Sequence, residues 1–423
     1  MNDEINKYGR LIQKKLRADY KACLRESGYP FEYPFVVPGS CYSDTLWDWD
    51  SWLYNIAMRQ ILSEINTPKC FAEILPYEQG CILNFLSWCS GADGWIPIAV
   101  SRNEDVSKSK PADIYATNMH KPVLAQHAAF LVKNQNGDAE WLRTKFMHIM
   151  EFANNYRTHH RHSCGLFYWQ DDRAIGVDND PCTYFRPPGS SGSIYLNCMM
   201  YKELEAIAYL CRCLNLNETA VHYEQDAQKL KIAINEHCWD QRDGFYYSVD
   251  LNLLPNENIC GLHQGMPRDW DCLIQRIGVW SGFLALWAGI ADKQQAQRIV
   301  TEHYKNTATF NAPYGIRSLS KMEKMYNTRA TGNPSNWLGA IWGIVNYFTF
   351  RGLLKYGFND EAKELAQKTV CLFGRDLERF GEFHEFYEPE NGEPIMNRGY
   401  QSWNYLVINM LVWLQGKPVI SEF

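Results

Sequence analysis

Apolar positions along most of this chain recur every three or four residues, the period of a helix and not of a strand. The pattern predicts twelve helices, over 3–27, 51–64, 78–90, 121–134, 138–160, 193–214, 217–238, 277–289, 292–306, 337–356, 359–374 and 402–415. They are of two alternating kinds. The odd-numbered ones are amphipathic, the third least clearly. In 217–238 the residues Ala220, Tyr223, Ala227, Leu230 and Ile234 form one stripe, while Glu218, Glu224, Gln225, Lys229 and Lys231 take the remaining face. A surface helix with one buried side has this form. The even-numbered ones are apolar nearly all round. IGVWSGFLALWAG (277–289), WLGAIWGIVNYFTFRGLL (337–354) and SWNYLVINMLVWL (402–414) have no clean polar face, so they are expected to be buried on every side.

Outer helix then inner helix, six times over, is the order of an all-α (α/α)6 toroid, with six inner helices ringed by six outer ones. A solenoid would instead repeat a consensus of about 34–45 residues, and the chain has none. No Pro/Ser-rich linker or shift of composition divides it, so residues 1–423 read as a single domain. In such a ring all outer-to-inner loops emerge at one end. Those loops hold the unusual segments: CYSDTLWDWD, IYATNMHKP, WQDDRAIGVDNDPCTYFRPPGSS, HQGMPRDWD, TRATGNPSNW and FGEFHEFYEPENGEPIMNRGYQ. The opposite links, such as CLNLN (213–217) and YGFND (356–360), are short and plain. Long polar, aromatic-rich loops gathered at one end predict a deep pocket there.

Composition narrows what that pocket holds. Aromatics make up 14% of the 423 residues, with 15 Trp and 25 Tyr. Most belong to the core, but flat rings with polar edges also stack on sugars. The net charge of −6 and the lack of a basic stripe exclude a nucleic-acid partner. MNDEINKYGRLIQKKLRADY has no apolar centre, so no signal peptide is read. No run reaches the length of about 18 apolar residues that a membrane span needs. Fourteen cysteines without an export signal are expected as reduced thiols in a cytoplasmic protein. CxxC, GxGxxG, GxSxG and HExxH are all absent, and no metal or cofactor is expected.

Cleaving a glycosidic bond takes two carboxyl groups on opposite sides of the bond. Asp178 in GVDNDPCTYF is one candidate, with Asp171, Asp172 and Asp180 as rivals; the same loop would also suit capping of the sixth helix or a cation such as calcium. Glu385 in GEFHEFYEPENGEP is the other, with Glu382, Glu388, Glu390 and Glu393 as rivals. Spacing alone does not choose among them.

The motifs resemble those of the inverting (α/α)6 hydrolases that include trehalase, processing α-glucosidase I and bacterial mannosylglycerate or glucosylglycerate hydrolases. WDWDS (47–51), GADGWIP (91–97), KPVLAQHA (121–128), YEQDAQKLKIAINEHCWDQRDGFYYSVD (223–250), PYGIRSLS (313–320), NWLGAIWGIVNY (336–347) and HEFYEPENGEP (384–394) follow that family's order over nearly the whole length. The resemblance implies Asp178, in DNDP, as general acid and Glu385 as general base. It also implies Trp47, Trp49, Asp50, Gln126, Trp337, Trp342 and Gln401 at the sugar ring of a small carbohydrate, an α-glucoside foremost. Asp50 would suit the N-cap of the second helix as well. Inversion needs the two carboxyls about 6.5–9.5 Å apart. Asn336 and Leu338 replace the usual Tyr and Arg of YWRG, and Cys182 stands where an Arg often follows DNSP. A carboxylate-bearing leaving group such as glycerate would therefore need Arg173, Arg186 or Arg317 instead.

Two other classes fit the same ring: a sugar epimerase, which would use paired histidines, and a catalytically silent carbohydrate-binding protein. HHRH (159–162) reads as a solvated helix end, and PPGSSGS (187–193) as a turn and N-cap. The pattern sets no oligomeric state.

Overall fold

The computed structural model describes residues 3–89, 93–102, 105, 110–184, 186–253, 271–329 and 335–423. Most of HQGMPRDWD, with parts of GADGWIP and TRATGNPSNW, lies outside the described residues.

All twelve helices of the pattern are present. They are α1 (Asp3–Asp19), α2 (Asp48–Ile65), α3 (Pro68–Ser87), α4 (Leu124–Asn134), α5 (Phe146–His159), α6 (Ile194–Cys213) and α7 (Asn217–His237). α8 opens as a 3-10 turn, Trp280–Phe283, and continues over Leu284–Ala288; α9 runs Lys293–Arg298 and closes as π turns over Ile299–Tyr304. α10 (Gly343–Lys355) and α11 (Asn359–Phe380) follow, and α12 is a 3-10 turn, Ser402–Leu406, leading into Val407–Leu414. The even-numbered helices touch in the order α2, α4, α6, α8, α10, α12 and back to α2, which closes the ring. The odd-numbered ones pack outside it. This is the (α/α)6 toroid.

Burial follows the two kinds of helix. α2 is buried at every position from Asp48 to Leu62. In α7 the buried residues include Ala220, Tyr223, Ala227, Leu230 and Ile234, the whole predicted stripe. Inside the ring Trp52 packs on Phe348 and Trp287, with ring centres 6.0 and 6.5 Å apart. The outer shell is drawn in tightly: a Cβ on Gly374 of α11 would stand 2.2 Å from the Cβ of Tyr8 in α1.

The ends of several helices depart from the pattern. α1 stops at Asp19 because Leu24–Arg25 pairs with Phe35–Val36. α3 begins ten residues before the predicted 78, because Pro76 is carried inside the helix instead of opening it. α4 begins at Leu124, where the Glu203 carboxylate on α6 accepts the amides of Ala125 and Gln126 at 2.7 and 3.1 Å. An anion satisfies donors that a helix N-terminus leaves open. α10 begins at Gly343 because Ile341–Trp342 forms a strand against Phe386–Tyr387. That pairing joins two loops at one end of the ring. No helix among the described residues is long and apolar enough to cross a membrane.

Candidate active site

The N-terminal ends of the inner helices open into a cavity of about 180 Å³. Its wall begins with the first turn of α2. Asp48 bonds the amides of Trp49 and Lys121 and pairs with the Lys121 ammonium at 2.8 Å. Lys121 in turn lies 4.9 Å from the Trp49 ring. The indoles continue the wall. Trp342 stacks on Trp337 at 4.0 Å and on Phe386 at 4.4 Å, and Trp403 meets Trp49 edge-on at 5.4 Å.

Two loops far apart in sequence bring carboxyls to this cavity. Asp178 is half-buried at the end of a loop with positive φ at Ala174, Gly176 and Asn179. Gly176 has φ 80°, and a Cβ there would stand 2.7 Å from both Trp49 and Lys121. Only glycine lets the loop lie this close to the cavity wall. Asn179 anchors the turn by donating its amide to Asp172 and its side chain to the Ser335 carbonyl.

Glu385 comes from the other side. Its amide donates to the Met396 carbonyl at 3.0 Å, just before the strand Phe386–Tyr387. Its carboxyl is 5% exposed and accepts a hydrogen bond from the Asn397 side chain. Burial pushes it up to about 8; Asn397 opposes the shift, and the charges of Asp50 and Asp178 add to it. Asp50 accepts from Tyr400 at 2.7 Å and Ser402 at 2.9 Å, both on one oxygen. Burial lifts it to about 6 against those two bonds. The Tyr42 hydroxyl, raised by burial and then by the Glu385 charge, completes this side.

Of the residues singled out by sequence, Trp47, Trp49, Asp50, Asp178, Trp337, Trp342 and Glu385 line the cavity together. Gln126 and Gln401 do not. Gln126 is fully buried, and its amide donates to the carbonyls of Pro122 and Met199. The Gln401 side chain accepts from the Cys23 thiol, on the outer side of the loop. Asp50 is not the N-cap of α2, which begins two residues earlier. The rival glutamates are engaged elsewhere: Glu390 by Arg317, Glu393 by Arg379, Glu388 by Thr328, and Glu382 by Arg398. Among the rival aspartates, Asp171 pairs with Arg173 and Asp180 accepts from Thr183.

The three arginines considered for an acidic leaving group are committed as well. Arg173 pairs with Asp171, Arg186 with Asp250, and Arg317 with Glu390 and three backbone carbonyls. No histidine lines the cavity among the described residues. His160 of HHRH is not solvated: it is fully buried, and burial lowers it to about 4. Ser193 makes no side-chain capping bond to α6. Sequence reasoning missed Tyr42, Lys121, Tyr400, Trp403 and Asn397. All but Trp403 lie in segments already marked as unusual, and Trp403 opens the last apolar helix, where an aromatic reads as core.

The sequence pattern of the mannosylglycerate hydrolase MGH1-like glycoside hydrolase domain matches residues 84–404, most of the chain. The chain belongs to this family. Individual relatives are distant. A mannosylglycerate hydrolase of Rubrobacter radiotolerans is 24% identical over 201 residues, 47% of this chain and 39% of that protein. A cytosolic neutral trehalase of Neurospora crassa is 21% identical over 397 residues, 80% of this chain and 50% of that protein. The chain thus spans half or less of the curated relatives it matches. Among solved structures, a Thermus thermophilus mannosylglycerate hydrolase in complex with glucose superposes with a TM-score of 0.63 at 20% identity, covering 90% of this chain and 95% of that one. The neutral trehalase of Saccharomyces cerevisiae gives 0.61 at 16%, covering 95% and 80%. These MGH1-like and trehalase relatives share the toroid.

Proposed function

We propose that the chain is a single catalytic domain that hydrolyses small α-glycosides, α-glucosides foremost, with inversion at the anomeric carbon. The observation that carries this reading is the convergence of Asp178 and Glu385, from separate loops, on one cavity walled by indoles. Asp178 protonates the leaving oxygen. Glu385 takes a proton from a water that attacks the opposite face of the sugar. Asp50 holds ring hydroxyls through the oxygen that Tyr400 and Ser402 leave open. The tryptophans stack on the apolar faces of the ring. Family membership supports the reaction class, and the glucose named with the Thermus structure suits a pocket of this size.

With Glu385 near 8, burial keeps its carboxyl protonated at neutral pH in the substrate-free cavity. The productive form has Asp178 protonated and Glu385 ionised. The Asn397 bond to Glu385 favours the ionised form that the reaction needs.

The test is a panel of neutral disaccharides, glucosylglycerol, glucosylglycerate and mannosylglycerate, run with wild type, Asp178→Asn and Glu385→Gln. Release of one monosaccharide by wild type, with kcat reduced by about 10²–10⁴-fold or more in either variant, is expected. Activity that survives both substitutions overturns the assignment. Binding of the panel without any release makes the chain a carbohydrate-binding protein.

A further inference from the structure

A second cavity, of about 310 Å³, lies near the other end of the ring. The C-terminal segment after α12 crosses that end and puts Glu422 into it. Glu422 accepts from Trp287 at 2.9 Å, Tyr347 at 2.7 Å and the Nε of Arg351 at 3.0 Å, and it is 7% exposed. Three cations from two inner helices line this cavity: Lys202 of α6, and Arg351 and Lys355 of α10. Two of them are ion-paired, Lys202 with Glu205 and Arg351 with Glu422, and the third, Lys355, has no ion pair among the described residues. Lys202 pairs with Glu205 at 2.7 Å, and Arg351 spends only its Nε on Glu422. The two terminal guanidinium nitrogens of Arg351 make no hydrogen bond among the described residues. Lys355, exposed at the rim, donates to the Trp287 carbonyl at 3.1 Å and to no other acceptor among the described residues.

Three cations and the Glu422 carboxylate therefore share a half-enclosed space with an open guanidinium fork, and the Phe423 ring lies 5.4 Å from the Lys202 ammonium. The terminal nitrogens of Arg351 present a fork that an oxyanion can complete, with the exposed Lys355 ammonium beside it. Desolvation, and then repulsion from Lys202, holds Lys355 below its ordinary value, while Glu205 and Glu422 oppose the shift. Glu422 already shows which chemistry the fork accepts, since carboxylates and phosphates match a guanidinium in geometry. We infer that this cavity is a binding site for a small oxyanion, of the phosphate or carboxylate kind, gripped by Arg351, Lys202 and Lys355 beside Glu422. The site stands apart from the indole-walled cavity, and its existence does not depend on the glycosidase reading.

Thermal unfolding of the full chain against inorganic phosphate or acetate, at ionic strength held constant with sodium chloride, tests the site. ³¹P line broadening reads phosphate binding directly. A saturable rise of several degrees in the unfolding midpoint is expected with phosphate, because a ligand bound only to the folded state stabilises it. A matching rise with acetate would assign carboxylates to the site as well. Lys355→Met and Lys202→Met are expected to remove the rise and the broadening. Lys355→Met should move the midpoint little without phosphate, since it removes a repulsion together with the bond to the Trp287 carbonyl. Asp178→Asn, in the other cavity, should leave the response unchanged. A response that never saturates, or one that persists in both lysine variants, overturns the proposal.

Discussion

Glu385 carries the least comfortable charge in the cavity, and its position has a measurable cost. Its folded value near 8 stands well above the value of about 4.3 for a free glutamate. The folded state thus holds its proton over a range where the unfolded chain has lost it. Its contribution is intact below about pH 4.3 and is lost as pH rises through 8. Glu385→Gln should therefore be more stable than wild type at pH 8, by on the order of a few kcal/mol. Urea midpoints should converge for the two proteins as pH falls toward 4. A variant no more stable than wild type at pH 8 would mean that Glu385 is solvated and ionised. Asp50 should shape activity as well: kcat/KM should fall below about pH 6 as its carboxyl gains a proton and stops accepting from sugar hydroxyls. At this scale the sequence marks the right loops but not the final orientation of each side chain. Gln126 sits one turn after Pro122, whose carbonyl lacks an intrahelical donor and takes the amide. No motif reveals that competition. Of the five glutamates, Glu382, Glu390 and Glu393 find a cation outside the cavity and Glu388 the Thr328 hydroxyl, which leaves Glu385 to the cavity.

At the scale of elements, the helical period and the alternation of outer and inner kinds are strong enough to predict every helix. The ends are less legible, because distant partners set them. Glu203 is the clearest case. It is fully buried, pushed up to about 8 by burial, and bonds the first amides of α4 from the neighbouring inner helix. Nothing near residue 124 in sequence announces it. Glu203→Ala should cost about 1–3 kcal/mol, since it leaves the Ala125 and Gln126 amides buried without an acceptor. Glu203→Gln, which keeps an acceptor, should cost less. Chemical denaturation reads both, and equal losses would show that packing rather than capping sets the penalty. The strand Ile341–Trp342 was equally hidden, since its residues read as the first turn of an apolar helix. Its pairing with Phe386–Tyr387 places Trp342 and Glu385 on adjoining backbone.

For the whole molecule, ring closure explains why the two ends differ. Inner helices point their N-termini into the indole-walled cavity, where their loops are long. At the far end the links are short, and Glu422 enters from the C-terminal segment. The ring also accounts for its own rigidity. Trp52 fills the centre against Trp287 and Phe348, so Trp52→Ala should cost about 3–5 kcal/mol by calorimetry. A loss below about 1 kcal/mol would mean that the centre is loosely packed.

The central claim is that Asp178 and Glu385 act from opposite faces of one bound sugar with a water between them. Proton NMR of the first sugar released from an α-glycoside reads it most directly, before mutarotation mixes the anomers. The β anomer is predicted as the first product. An α anomer appearing first would place a covalent intermediate on the enzyme and contradict the account.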